Sequence, residues 1–488
     1  MIKEIIPTPK SVNMEAGVTN VPPNIISLEA DWQDLCVTFG DCFKKIFKKD
    51  LTVATGGIVI IKDESLKAAE YKIDTTAGVN LYASTKEGAS YAFATLLQMV
   101  FTVGRHGRIM LVNGNMQVEK AVIQDWPDKD YRALMVDVAR HWHPFKKLLN
   151  YVDICFMLKI KYLHIHFIDD LLYTLPSKAF PDITKGNKAY TFDEIKTLVD
   201  YAESKNIILI PEFEAPGHAA VMNKNYPLVF ANRVQGESEV MKSEEGVVFT
   251  AENIICAGKK ETFEACKTLI KEIIEMFPNS PYIHIGGDEA NINVWNDCVN
   301  CREYMRANNI SSAKELYSDF VGRIAQAVID MGRTPIVWEG FPKEGAEKIP
   351  KETIVIAWES YYHYAPDLLQ AGFKVINCAW KPLYIVPHPV KRWNFDEVLD
   401  WNVYRWTHWW DASPAFLNPF KVEPTENVLG GSLAAWECTF EQSISRIMEN
   451  LPALSEKTWN VDSVKTPETF CEPLYKTMLL LSLLVQEE

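Results

Sequence analysis

From Tyr131 to Trp436 the chain repeats one rhythm. Short runs that are apolar almost throughout, ALMVDV, YLHIHFI, IILIPEF, YIHIGG, TPIVW, TIVIAW, KVINCAW and VLGGSLAAW, are mostly separated by stretches of helical periodicity. A strand with one wet face alternates apolar and polar residues, whereas continuous apolar runs predict strands buried on both faces. Thr191 with Glu194, and Ser312 with Glu315, are spaced as capping boxes that open two of the helices. Eight such strands alternating with helices predict an α/β fold, a (β/α)₈ TIM barrel, over residues 123–488. It is somewhat irregular, because the fifth link is short for a helix and the seventh is long and loop-like. The tail ETFCEPLYKTMLLLSLLVQEE has a helical apolar pattern and is predicted to pack on the barrel.

Residues 1–122 read as a small α/β domain. GGIVIIKD and GVNLYAS look like strands, Ser84 and Glu87 form a cap before the helical run GASYAFATLLQMV, and RIMLVNGNMQVEKAVIQD leads out as a strand. Trp126-Pro127 followed by DKD marks the linker.

Active sites of such barrels lie at the carboxyl ends of the strands. Here those ends carry Arg140-His141, Asp169-Asp170, EFEAPGH with His218, Asp288-Glu289, Trp338-Glu339, Trp358-Glu359, Trp380 with Tyr384 beyond it, and Trp436-Glu437. Taken singly, each Trp could fill the barrel mouth and Arg140 could be a salt-bridge partner. His164 and His166, two apart on a strand, read as core or supporting groups. Acids, one arginine and a ring of tryptophans at one end of one barrel form a pocket suited to a sugar. The adjacent pair Asp288-Glu289 is the sharpest feature, since burial and mutual repulsion both oppose ionising it there.

Bulk properties narrow the picture further. Among 488 residues there are 14 Trp, whose N–H groups need partners in a core but whose rings stack well on sugars. The net charge of −14 argues against nucleic acid and anionic membrane surfaces as partners. MLLLSLLV is too short to span a bilayer. The start MIKEIIPTPK has no apolar leader segment, which predicts a cytoplasmic protein, or a secreted one if a leader has been removed. Ten scattered cysteines with one close pair, Cys298 and Cys301, read as ordinary thiols in a reducing compartment. No metal and no cofactor is expected.

The stretches LMVDVARHW, LHIHFIDD, PEFEAPGH, HIGGDE, PIVWEG, INCAWKPLY and GGSLAAWE, in this order, closely resemble glycoside hydrolase family 20, the β-N-acetylhexosaminidases. IIPTPK and GASYAFATLLQ resemble that family's N-terminal domain. The resemblance implies release of terminal β-linked GlcNAc or GalNAc with retention, through an oxazolinium formed by the substrate's own acetamido group. It implies Glu289 as general acid and base, Asp288 on the acetamido N–H and Tyr384 on the acetamido carbonyl. Trp338, Trp358 and Trp436 would wall the pocket, Arg140 would grip the 3- and 4-hydroxyls, and Asp169 and His218 would tune Glu289. Alternation along a strand would send Asp288 and Glu289 to different atoms of one sugar.

Three positions depart from the family pattern: Glu214 where Asp is usual, Ile385-Val386 where Leu-Asp is common after the tyrosine, and Glu437-Cys438 where a small residue precedes Glu. The first is a mild change, and the other two touch recognition of the sugar hydroxyls, the 4- and 6-hydroxyls among them. Two other readings are a metal-dependent amidohydrolase, which would need histidines where the later strand ends carry Trp, and a catalytically silent sugar-binding protein.

Overall fold

The computed structural model describes residues 4–101, 116–233, 240–242, 248–250, 253–387 and 392–485. Eight parallel strands close into a barrel: Tyr131–Asp137, Tyr162–His166, Ile208–Glu212, Tyr282–His284, Thr334–Trp338, Ile354–Ala357, Lys374–Asn377 and Val428–Ala435. They are numbered one to eight below. Strand eight pairs with strand one from Gly430–Tyr131 to Ala435–Val136, and strand seven pairs with strand eight across a bulge. The strands are buried along almost all their length, as unbroken apolar runs require.

The irregularities fall where the sequence places them. Strands five and six are joined through one turn of 3₁₀ helix, Ala346–Lys348. Strands seven and eight are joined by Tyr384–Ile385, which pairs with strand eight, the helix Phe395–Asp400 and the paired segments Arg405–Trp406 and Phe420–Lys421. Thr191 and Glu194 form a full capping box. At Ser312 only half forms: its hydroxyl accepts from the Glu315 N–H at 3.1 Å, while the Glu315 carboxylate turns to the Ser311 N–H at 2.8 Å.

The first domain is a seven-stranded mixed sheet with helices Gln33–Phe47 and Lys86–Val100. The cap of the second helix is Thr85, which accepts from the Gly88 N–H at 3.2 Å, and not Ser84, whose hydroxyl donates to the Lys67 carbonyl. The outgoing strand spans Gln117–Asp125, crossing the division after residue 122 read from the sequence; residues 108–115 of that stretch lie outside the described residues. Asp125 binds the two domains together. Its carboxylate accepts from Tyr71 at 2.6 Å and Trp459 at 2.9 Å and pairs with the fully buried Lys159 at 3.1 Å. The tail helix Pro467–Leu484 buries Leu480, Leu481 and Leu484, and no helix of the described residues is long and apolar enough to cross a membrane.

Candidate active site

At the carboxyl end of strand one, buried Asp137 accepts from the N–H groups of Ala139 and Arg140 at 3.0 and 2.9 Å and so turns the chain. Its other oxygen takes Arg140 Nη1 and the Glu437 N–H, both at 3.2 Å, which ties the ends of strands one and eight together. Arg140 then reaches Asp169 at 2.8 Å and lies 5.1 Å from the Trp436 ring centroid. Burial works against its charge, but Asp137 and Asp169 outweigh it and hold the guanidinium pKa above its usual value.

Strand four ends at His284, before the acids. Gly286 and Gly287 carry the chain on at φ 68° and 91°. A Cβ at Gly286 would stand 1.9 Å from the Glu214 carboxylate, and one at Gly287 would stand 2.4 Å from Val337 Cγ2, so only glycine fits this turn. Glu289 follows in the left-handed region at φ 43°. Asp288 and Glu289 therefore diverge through two glycines and a left-handed residue, and not through the strand alternation expected from the sequence.

Both acids meet His218, itself left-handed at φ 48° after Pro216-Gly217. Its Nε2 lies 3.4 Å from Glu289 and 3.7 Å from Asp288, and its Nδ1 lies 3.4 Å from Asp169. Burial opposes the imidazolium, yet the carboxylates of Asp170 and Glu289, 3.7 and 3.4 Å away, hold the His218 pKa well above its ordinary value. His218 in turn lowers Glu289. Burial, with repulsion from Glu289, pushes Asp288 up to about 6 despite the pull of His218. Asp288 Oδ1 is buried with no hydrogen-bond partner among the described residues.

Arg140, Asp288, Glu289, Trp358, Trp380, Tyr384, Val386, Trp436 and Glu437 line one cleft of about 150 Å³. Tyr384 stacks on Trp380 at 4.8 Å and lies parallel to Trp358 at 5.9 Å. Burial raises the Tyr384 hydroxyl, so it stays a donor. The Trp358 indole is fixed by the Glu339 carbonyl at 2.7 Å. Glu437 has φ 57°, and this left-handed turn swings its carboxylate onto the cleft, 3.9 Å from Arg140 Nε. Cys438 is buried, with its carbonyl on His143 at 3.0 Å.

Thus seven of the ten site residues read from the sequence line the cleft directly. Asp169 and His218 stand behind Arg140 and Glu289. Trp338 sits deeper, its ring 5.5 Å from Trp436 and its N–H on Glu212 at 2.6 Å. Glu212 is a hub that sequence reasoning passed over. It also takes His164 at 3.0 Å, His166 at 2.6 Å and His284 at 2.9 Å. Burial opposes its charge, but the three histidines hold it well below the carboxylate range. The signal was available: inward-facing residues of strands two, three and four recur at the same level, and HxH faces a lone Glu. Trp380 and Val386 also line the cleft; the sequence places Trp380 among the strand-end groups, but the resemblance assigns a role to neither.

A model of glycosyl hydrolase family 20, catalytic domain, matches residues 130–462, and a model of that family's domain 2 matches residues 3–126. The chain belongs to glycosyl hydrolase family 20. It is a glycoside hydrolase. It is 28% identical over 415 residues to the beta-hexosaminidase subunit beta of Entamoeba histolytica, across 82% of this chain and 70% of that one. It is 26% identical over 437 residues to a beta-hexosaminidase of Akkermansia muciniphila, across 83% of this chain and 82% of that one. The fold matches that of a family 20 exo beta-N-acetylglucosaminidase from Vibrio harveyi, solved in complex with N-acetylglucosamine: TM-score 0.81, 20% identity, covering 99% of this chain and 78% of that one.

Proposed function

We propose that this family 20 enzyme is a retaining exo-β-N-acetylhexosaminidase in which the substrate's acetamido oxygen is the nucleophile. The observation that carries the reading is Asp288 Oδ1, a buried acceptor without a partner in an aromatic-walled cleft. An acetamido N–H satisfies it, and its charge opposes the positive charge that develops on that nitrogen. The cleft suits one sugar ring better than a threaded chain, which favours exo cleavage. The names of the relatives, beta-hexosaminidases, agree.

In the first step the acetamido carbonyl oxygen, held by Tyr384, attacks C1. The glycosidic C–O bond breaks and the leaving oxygen takes a proton from Glu289. Asp288 pairs with the N–H of the resulting oxazolinium. In the second step water attacks C1, Glu289 receives its proton, and the C1–oxygen bond of the ring opens with net retention. Arg140 holds ring hydroxyls while Trp358 and Trp436 enclose the acetamido methyl. Turnover of aryl GlcNAc and GalNAc glycosides, with no appreciable turnover of the glucoside and galactoside, tests the reading; equal rates with and without the acetamido group would sink it.

In the free protein His218 is raised and Glu289 lowered, so the proton rests on His218 and Glu289 has to take up a proton before it can act as the acid. Asp288 has to be ionised. Its pKa is raised to about 6, so it gains a proton as pH falls through that value. We expect kcat/KM to decline toward about ten-fold per pH unit below that point, as a single required ionisation dictates. A pH profile that stays level through this range counts against the role of Asp288.

Glu437 bears on the 4-hydroxyl. Arg140 is a broad donor fork that suits either epimer. Glu437 adds an acceptor on one side, so we expect a GlcNAc preference with appreciable GalNAc turnover. Glu437→Ala should lower both by roughly ten-fold or less and narrow their ratio, the scale of one solvent-accessible hydrogen bond. Parent-like rates of Glu437→Ala on both sugars would assign the 4-hydroxyl to Arg140.

A further inference from the structure

Cys256, Cys298 and Cys301 converge in the core. They are 1%, 0% and 0% exposed. Cys256 Sγ lies 3.6 Å from each of the other two sulfurs, and all three lie within 4.8 Å of one another. The sequence offered one C-x₂-C without a second pair; the fold supplies the third thiol from a loop 42 residues upstream. Cys298 caps the helix Val299–Ala307, and Cys301 sits in its first turn.

We propose that these three thiols form a structural site for one thiophilic metal ion, Zn²⁺, that fastens the loop after His218 to the helix after Glu289. The separations carry the argument. Zn–S bonds of about 2.3 Å at tetrahedral angles set sulfurs about 3.8 Å apart, whereas a disulfide sets them about 2.05 Å apart. The observed 3.6 Å separations match the first geometry, and one sulfur makes both of them, which no single disulfide requires. Asn232 offers an oxygen as fourth donor. Its Oδ1 is 3.7 Å from Cys301 Sγ, close to the S–O edge of about 3.6 Å for a mixed tetrahedron. Its Nδ2 donates to the Ile254 carbonyl at 2.8 Å, which turns the oxygen toward the sulfurs. Three sulfurs in a dry core favour zinc over magnesium or calcium, which take oxygen shells.

The site sits where a fastener has consequences. The Ile255 N–H donates to the Pro216 carbonyl and the Ala219 N–H to the Asn253 carbonyl, both at 2.9 Å, on either side of His218. The Trp295 indole donates to the Ile255 carbonyl at 2.9 Å, which links the same loop to the segment after Glu289. Holding Cys256 against Cys298 and Cys301 thus sets the spacing of His218 and Glu289. The ion itself takes no part in the chemistry.

The test is metal content, which does not depend on activity. Protein made in zinc-replete medium and purified without chelator should carry about one zinc per chain by elemental analysis. Cys256→Ser, Cys298→Ser and Cys301→Ser should each lose it, and Cys471→Ser, at the exposed thiol, should keep it. Should a variant fail to fold, the parent protein decides: stripped and reloaded with cadmium, it should gain a thiolate charge-transfer band that saturates at one ion per chain. Zinc-free parent protein that takes up no cadmium overturns the proposal. So does peptide mapping that finds a disulfide among the three cysteines.

Discussion

Replacing Glu289 by Gln is expected to lower kcat/KM by about 10²–10⁴-fold on an N-acetylhexosaminide whose leaving group is another sugar. On an activated aryl glycoside the loss should be much smaller. A sugar alkoxide is too basic to leave without a proton, whereas an activated phenolate leaves nearly unaided. Glutamine keeps the shape of the side chain, and it can still hydrogen-bond to His218, but it has no acidic proton to give. The position of Glu289 fits this role: its side chain is 49% exposed at the cleft mouth, where the aglycone departs, while Asp288 is at 11% in the interior. Equal losses on both substrate types would remove Glu289 from the acid role and leave it as a partner of His218 alone.

The barrel was legible because its signal is repeated. Each strand announces itself by an unbroken apolar run, and the order of eight such runs admits few folds. The cleft was legible for a related reason, that strand ends collect in one place, so residues far apart in sequence could be grouped before any contact was known. What the sequence concealed depends on turns and on long-range convergence. The divergence of Asp288 and Glu289 is set by two glycines and one left-handed residue, and Glu437 reaches the cleft by a single left-handed φ. A one-residue shift in cap position, Thr85 for Ser84, is below what spacing resolves, since Ser and Thr are both preferred caps. Glu212 looked like an ordinary strand residue until three histidines and Trp338 closed on it. The three-thiol cluster needed the loop from strand three to meet the helix after strand four, a contact no local pattern records.

Asp288→Asn and Tyr384→Phe are expected to lower kcat by about 10²–10³-fold each, the usual cost of removing one group that meets developing charge. KM should change far less. Both partners of these side chains belong to the acetamido group, and both gain charge only as that group attacks C1. In Asp288→Asn the ground state keeps its hydrogen bond while the transition state loses an ion pair with the acetamido N–H, and in Tyr384→Phe the acetamido oxygen loses the donor that holds it in line with C1. A thiazoline that mimics the cyclic intermediate should therefore bind the parent tightly, and its affinity should fall in the variants in parallel with kcat/KM. Asparagine makes the sharper variant, because it keeps an oxygen for the acetamido N–H and removes only the negative charge. If Asp288→Asn binds the thiazoline as tightly as the parent, the carboxylate does not stabilise a cyclic cation. If a glycosyl-enzyme ester can be trapped on either acid, the nucleophile belongs to the protein. Substrate assistance requires both to fail, and the pairing of a buried unpartnered carboxylate oxygen with a phenol kept protonated by burial is the reason to expect that they will.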